Sequence, residues 1–195
     1  MEKRKKNIVL FASGNGTNAE NIIRYFQEKK TVNILEVLTN NPRAGVIERA
    51  KKQNIPVFVF NRETISAPSG LIDHLLNMET DFIVLAGFLW KIPAELIRQF
   101  PQKIINLHPA LLPEFGGKGM YGLHVHEAVI AAGKKKSGIT IHDVDEIYDN
   151  GKIIFQAETE VLETDTAESL AEKIHALEYR YFPEIIEKIC THKYF

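Results

Sequence analysis

The stretch NIVLFASGNGTN, residues 7–18, decides how the rest of the chain is read. Asn7–Ala12 is a short apolar run and reads as a strand buried in a sheet. SGNGTN then places Gly14 and Gly16 where the backbone has to turn. Thr17–Lys29 follows with Ala19, Ile22, Ile23 and Phe26 at helical spacing, and Thr17 with Glu20 matches a capping box.

The same grammar continues. Val32–Thr39 reads as a second strand, Ala44–Gln53 as a helix and Pro56–Phe60 as a strand. Ser69 can cap a helix through Met78, and DFIVLA (Asp81–Ala86) is a strongly apolar strand. Pro93 can open a helix to Phe100, because the first turn tolerates its missing donor. Lys103–Leu107 is a further strand. Strands alternating with helices in this way predict a parallel sheet covered on both faces.

After Leu107 the pattern changes. Helical spacing covers Val125–Ala132, and Gly138–Asp145 and Lys152–Val161 flank the turn signal Asp149-Asn150-Gly151. Asp165 and Glu168 form a second capping box before a long helix carrying Leu170, Ile174 and Leu177, which Pro183 is expected to kink or divide. The expectation is an α/β fold: an open, Rossmann-like, mostly parallel sheet with helices on both faces and an antiparallel C-terminal portion. Residues 1–195 form a single domain on this reading.

Composition narrows the function classes. The 195 residues are 45% hydrophobic and 25% charged with a formal net charge of −1, so no overall field draws nucleic acid or anionic lipid. No apolar run approaches membrane-spanning length. A single cysteine, Cys190, excludes an internal disulfide and fits a reducing, cytoplasmic setting. Lys3–Lys6 reads as a solvated leader.

In open α/β sheets ligands bind beyond the carboxyl ends of the strands. Three unusual loops sit there: SGNGTN, Ala86-Gly87-Phe88, and the segment after Asn106 and His108, where Pro109 and Pro113 forbid continuation of a ladder. Free N–H groups at the SGNGTN helix start favour an anion. The spacing also meets the loose dinucleotide fingerprint, but Thr39-Asn40-Asn41 stands where that fingerprint wants an acidic residue. Asn106 and His108 are two apart in a strand, so both side chains share one face, where an amide and an imidazolium can stabilise an acyl-transfer oxyanion. Asp149 reads alone as a turn former; beside His108 it would favour the charged imidazole. His108, His124, His126 and His142 lack metal-ligand spacing, so no metal is expected.

Taken in order, SGNGTN, LAGF (Leu85–Phe88), NLHPALLP (Asn106–Pro113) and IHDVDEIYDNG (Ile141–Gly151) resemble the phosphoribosylglycinamide formyltransferase family of purine biosynthesis. The resemblance implies a formyltransferase domain spanning 1–195. It implies formyl transfer from 10-formyltetrahydrofolate, as co-substrate, to the amine of glycinamide ribonucleotide, by a monomer or homodimer needing no metal, nucleic acid or membrane. By position it implies catalytic Asn106, His108 and Asp149, the last seven residues beyond His142. Gly16, Thr17, Asn18, Pro109 and Glu178 match contacts to the amine substrate. The folate pocket falls on Leu89, Trp90, Lys91 and Ile92, on Asn106, and on Asp145, Glu146, Ile147, Tyr148 and Asp149. The chain departs from the pattern at Leu89-Trp90, where many relatives have Met-Arg, at Lys152, where a proline is usual, and at GGKGMYG (Gly116–Gly122), which is longer than the usual link.

Related readings remain distinct. A methionyl-tRNA formyltransferase would want a tRNA-binding domain and a basic surplus, a formyl-folate hydrolase needs no phosphate turn, and a noncatalytic phosphosugar- or dinucleotide-binding module has no use for Asn106, His108 and Asp149.

Overall fold

The computed structural model describes residues 4–66 and 70–191. In chain order the first half is β1 (Lys6–Phe11), α1 (Thr17–Lys29), β2 (Val32–Thr39), α2 (Val46–Lys52), β3 (Val57–Val59), α3 (Arg62–Ser66), α4 (Leu71–Asn77) and β4 (Phe82–Leu85). Then come α5 (Ala94–Gln99), β5 (Ile104–His108), α6 (Leu123–Ala131), β6 (Lys136–Asp143), β7 (Ile153–Glu160) and α7 (Ala167–Thr191). One seven-stranded sheet has the order β3-β2-β1-β4-β5-β6-β7. Strands β1 to β5 pair in parallel, while β6 and β7 are antiparallel to their neighbours. This is the expected α/β arrangement.

Each face buries its own apolar cluster. Ile22, Ile23 and Phe26 of α1, Val46 of α2, Val129 of α6 and a stripe of α7 close one face. Ile65, Leu71, Leu75 and Leu96, from α3, α4 and α5, close the other. Fully burying one such side chain contributes about 1.5–3 kcal/mol, so the two cores supply the main drive to fold. Cys190, half-buried against the first cluster, has its thiol pushed up to about 12 by burial and is inert as a nucleophile.

Several helix ends differ from the sequence reading. Gly16, not Thr17, caps α1, and no side chain caps it. Glu20 is held instead by Arg24 at 2.6 Å and by Arg49. Before α7 the reciprocal bonds run between Thr166 and Ser169: each side-chain oxygen accepts the other's backbone N–H. Asp165 accepts from Leu162 N–H and Lys173 rather than forming the box with Glu168. Pro93 stands one residue outside α5 as its cap. The short α3 carries too little periodicity to be read beforehand. Ser69 and Lys3 lie outside the described residues, whereas Lys6 is no leader residue: it opens β1 and pairs with Asp81 at 3.0 Å.

Helix α7 runs unbroken through the buried Pro183. A proline there cannot donate to the carbonyl four residues back, that of Tyr179. The Nδ2 of Asn21, on α1, donates to that oxygen at 2.8 Å, so the proline's missing bond becomes a contact between helices.

The turn between β1 and α1 tests the backbone argument. Gly16 has φ 77°, and a Cβ there would strike the Val46 side chain. Gly16→Ala is expected to cost about 2–4 kcal/mol from left-handed strain plus overpacking. Gly14→Ala, whose methyl meets nothing within 4 Å, should stay within about 0.5 kcal/mol; urea denaturation of both variants measures the difference.

Candidate active site

Strand order reverses between β1 and β4, where a crevice forms outside the carboxyl ends of an open sheet. The loops leaving these two strands are tied together. Ser13 N–H donates to Gly87 O at 3.0 Å, and Ser13 Oγ accepts from Leu89 N–H at 2.9 Å while donating to Asn40 at 2.7 Å. The glycine turn and the Leu89–Ile92 strap therefore share one hydroxyl.

Beside them lies a cleft of about 690 Å³. Its walls include Asn18, the strap Leu89–Ile92, Asn106, His108 and Pro109, Asp145, Ile147, Tyr148 and Asp149, and Glu178 of α7. Most of the residues singled out from sequence thus share one space. Gly16 and Thr17 remain at the turn itself. Glu146 does not line the cleft; it is exposed and faces Arg98 at 4.0 Å. Trp90 carries the guanidinium of Arg62 over its ring at 4.7 Å.

At the floor, β5 and β6 pair so that Asn106 stands opposite His142 and His108 opposite Thr140. Asn106 Nδ2 lies 3.1 Å from His142 Nε2 and 3.5 Å from Asp149 Oδ1. His108 Nδ1 is 3.5 Å from Asp149 Oδ2, and His142 Nε2 is 3.6 Å from Oδ1. The backbone N–H of Gly117 donates to Asp149 Oδ2 at 2.8 Å. Asp149 itself has φ 53°, a left-handed conformation that Asp tolerates better than most residues.

Each imidazole is oriented from behind. His108 Nε2 donates to Phe115 O at 2.8 Å, which turns Nδ1 toward Asp149. His142 Nδ1 donates to Asp143 O at 2.7 Å, which leaves Nε2 facing Asn106. His108 is 3% exposed, and its burial lowers its pKa more than Asp149 and the Phe115 carbonyl raise it. The expected preference for imidazolium is therefore outweighed: Asp149 acts in the anticipated direction, but His108 is neutral at neutral pH. Burial alone would push Asp149 up; the imidazoles of His142 and His108 and the Gly117 N–H bring its carboxyl below the usual range. Two lone-pair-bearing groups thus face each other across 3.5 Å, a place that accepts one proton.

At the other end, Asn18 Nδ2 and His175 Nδ1 both donate to Glu178 Oε2, at 2.8 and 2.9 Å. Burial leaves Asn18 Oδ1 and His126 Nδ1 without partners among the described residues. His126, His142, His175 and Gly117 escaped the sequence reading as site residues. Only the β5–β6 register and the packing of α6 on α7 bring them in. Among the described residues, no group of three or more His, Cys, Asp or Glu side chains is placed to hold a metal ion. None of the described helices is long and apolar enough to cross a membrane.

Known proteins resemble this chain over nearly its whole length. A chloroplastic phosphoribosylglycinamide formyltransferase of Vigna unguiculata is 42% identical over 97% of this chain, which spans 62% of that relative's length. The phosphoribosylglycinamide formyltransferase of Bacillus subtilis is 37% identical, with 94% of each chain covered. The crystal structure of a phosphoribosylglycinamide formyltransferase from Bacillus halodurans superposes with a TM-score of 0.85 at 36% identity, over 96% of this chain and 97% of the other. Residues 6–186, from the first strand well into the last helix, match the formyl transferase family, and the chain belongs to it.

Proposed function

We infer that this chain transfers the formyl group of 10-formyltetrahydrofolate to the amine of glycinamide ribonucleotide. The products are formylglycinamide ribonucleotide and tetrahydrofolate, in purine biosynthesis, and we read 1–195 as one formyltransferase domain working in the cytoplasm as a monomer or homodimer. The observation that carries this reading is the convergence of Asn106, His108 and Asp149 in the cleft that also holds Asn18 and Glu178.

The roles follow from chemistry. The phosphate of the amine substrate sits at Gly16, Thr17 and Asn18, where backbone N–H groups at a helix start receive an anion. Glu178 and Pro109 position its sugar and glycinamide arm. The folate lies along Leu89, Trp90, Lys91 and Ile92 and against Asp145, Ile147 and Tyr148, with Glu146 at the outer edge of that loop. The neutral amine attacks the formyl carbon while Asn106 Nδ2 donates to the carbonyl oxygen as it gains charge. The His108–Asp149 pair takes the proton released by the new ammonium, so the imidazolium forms as the oxyanion does. That proton then passes to the departing folate nitrogen as its bond to the formyl carbon breaks. Donors preorganised in this way each lower a barrier by about 2.7–4 kcal/mol.

Incubation with 10-formyltetrahydrofolate, with and without glycinamide ribonucleotide, tests the assignment. Amine-dependent release of tetrahydrofolate is expected, whereas release by water alone would make the chain a hydrolase. Asn106→Ala should lower kcat by about 10²–10³-fold while both substrates still bind. Asp149→Asn is expected to slow single-turnover transfer by at least about 10²-fold, and near-normal transfer would remove its role.

Protonation sets a pH limit as well. His108 and His126 both have pKa values lowered by burial, so in acid the unfolded chain binds more protons than the folded one. Their neutral forms are free of penalty above the ordinary imidazole value of about 6.5, and stability is lost as pH falls below it. His175 behaves oppositely: Glu178 raises it, so its contribution is complete below the ordinary imidazole value and is lost as pH rises from there through its raised folded value. Thermal melts from pH 5 to 9 should therefore peak near neutrality, with His126→Gln flattening the acid limb.

A further inference from the structure

Residues 117–122, in the segment where the sequence departs from the family pattern, line the cleft. Gly117 is fixed to Asp149 at the reaction centre. His126, at the start of α6, lies beside Glu178 and His175 at the far end. Residues 117–123 between these anchors all line the cleft, so Lys118 shares one space with Asn18 of the glycine turn. They do not border only the Leu89–Ile92 strap.

The charges there are unbalanced. Asp145, Asp149 and Glu178 outnumber Lys91 and Lys118 along the cleft, and a phosphate monoester brings close to two further negative charges. The cation nearest the glycine turn is already committed: Arg49 donates to Asn15 O at 2.9 Å and to Asn15 Oδ1 at 3.1 Å, and pairs with Glu20. Among the lysines and arginines lining the cleft are only Lys91 and Lys118, and neither has a hydrogen bond or ion pair among the described residues. Lys91 belongs to the strap. Lys118 is exposed and stands between Gly117 (φ 97°) and Gly119 (φ 91°), positions where side chains would be strained and where open space surrounds the backbone. Glycines on both sides let the lysine swing with little resistance.

We propose that Lys118 is a specificity-determining contact to the phosphate of the amine substrate, supplied by this glycine-flanked loop to a cleft whose other lysine, Lys91, belongs to the strap. The proposal rests on the substrate reading given above. Its place on a flexible stem lets the ammonium close over the phosphate once the turn holds it from the other side.

The test compares wild type, Lys118→Met and Lys118→Arg in steady-state kinetics at two ionic strengths. Lys118→Met should raise KM for glycinamide ribonucleotide about tenfold, with the change carried by KM rather than kcat, and should weaken its salt dependence. Lys118→Arg should restore most of the loss. The ribonucleoside lacking the phosphate should be used equally poorly by wild type and Lys118→Met. An unchanged KM, an equal loss with the ribonucleoside, or a loss confined to the KM of formyl-folate would overturn the proposal. Calorimetric titration with ribose 5-phosphate separates this from the activity itself: wild type should bind it about tenfold more tightly than Lys118→Met. Equal binding, or none by wild type, overturns the phosphate contact even if transfer is confirmed. Absence of transfer with the difference intact would leave the contact standing and discard the reaction.

Discussion

Strand β6 runs against β5, and that reversal governs what the cleft contains. It pairs Asn106 with His142 on one face of the sheet. It also means that the segment after β6 leaves at the level of Ile104, where Val144 N–H donates to the Ile104 carbonyl. Asp149 reaches His108 only because this segment folds back across the sheet face and is caught there by the Gly117 N–H.

The folded-back segment explains why the site could be read from sequence only in part. The three loops after β1, β4 and β5 announce themselves: glycines, prolines and polar residues interrupt strongly apolar runs, and an open parallel sheet has one binding edge. Asn106 and His108 share a face by strand periodicity alone. Asp149 had no such local signal, because Asp-Asn-Gly makes a sound turn without any catalytic task. Its place came from resemblance. His142 and His175 were invisible for a related reason: their partners are set by register and helix packing, which no spacing rule encodes. The caps at α1 and α7 were misread by one residue, since Glu20 and Asp165 are held by basic side chains brought in by tertiary contacts.

The protonation of His108 shows how magnitude decides between opposing effects. A nearby carboxylate and a carbonyl acceptor both favour the charged ring, yet near-complete burial outweighs them. A neutral ring facing an ionised carboxylate can take up a proton, whereas an imidazolium could not. The single Ser13 hydroxyl, meanwhile, makes the glycine turn and the Leu89–Ile92 strap one mechanical unit, so displacement of either loop disturbs the other's hydrogen bonding.

Pro183 has a similar reach. The carbonyl it leaves without an intrahelical donor is taken by Asn21, and Asn18, one turn earlier on α1, is bound to Glu178, the residue just before Tyr179 on α7. These two rungs lock α1 and α7 in a fixed axial setting, as teeth fix a rack against a pinion. Sliding by a single residue would break both at once. An imino acid that weakens a helix in isolation thereby gauges the separation between two walls of the cleft.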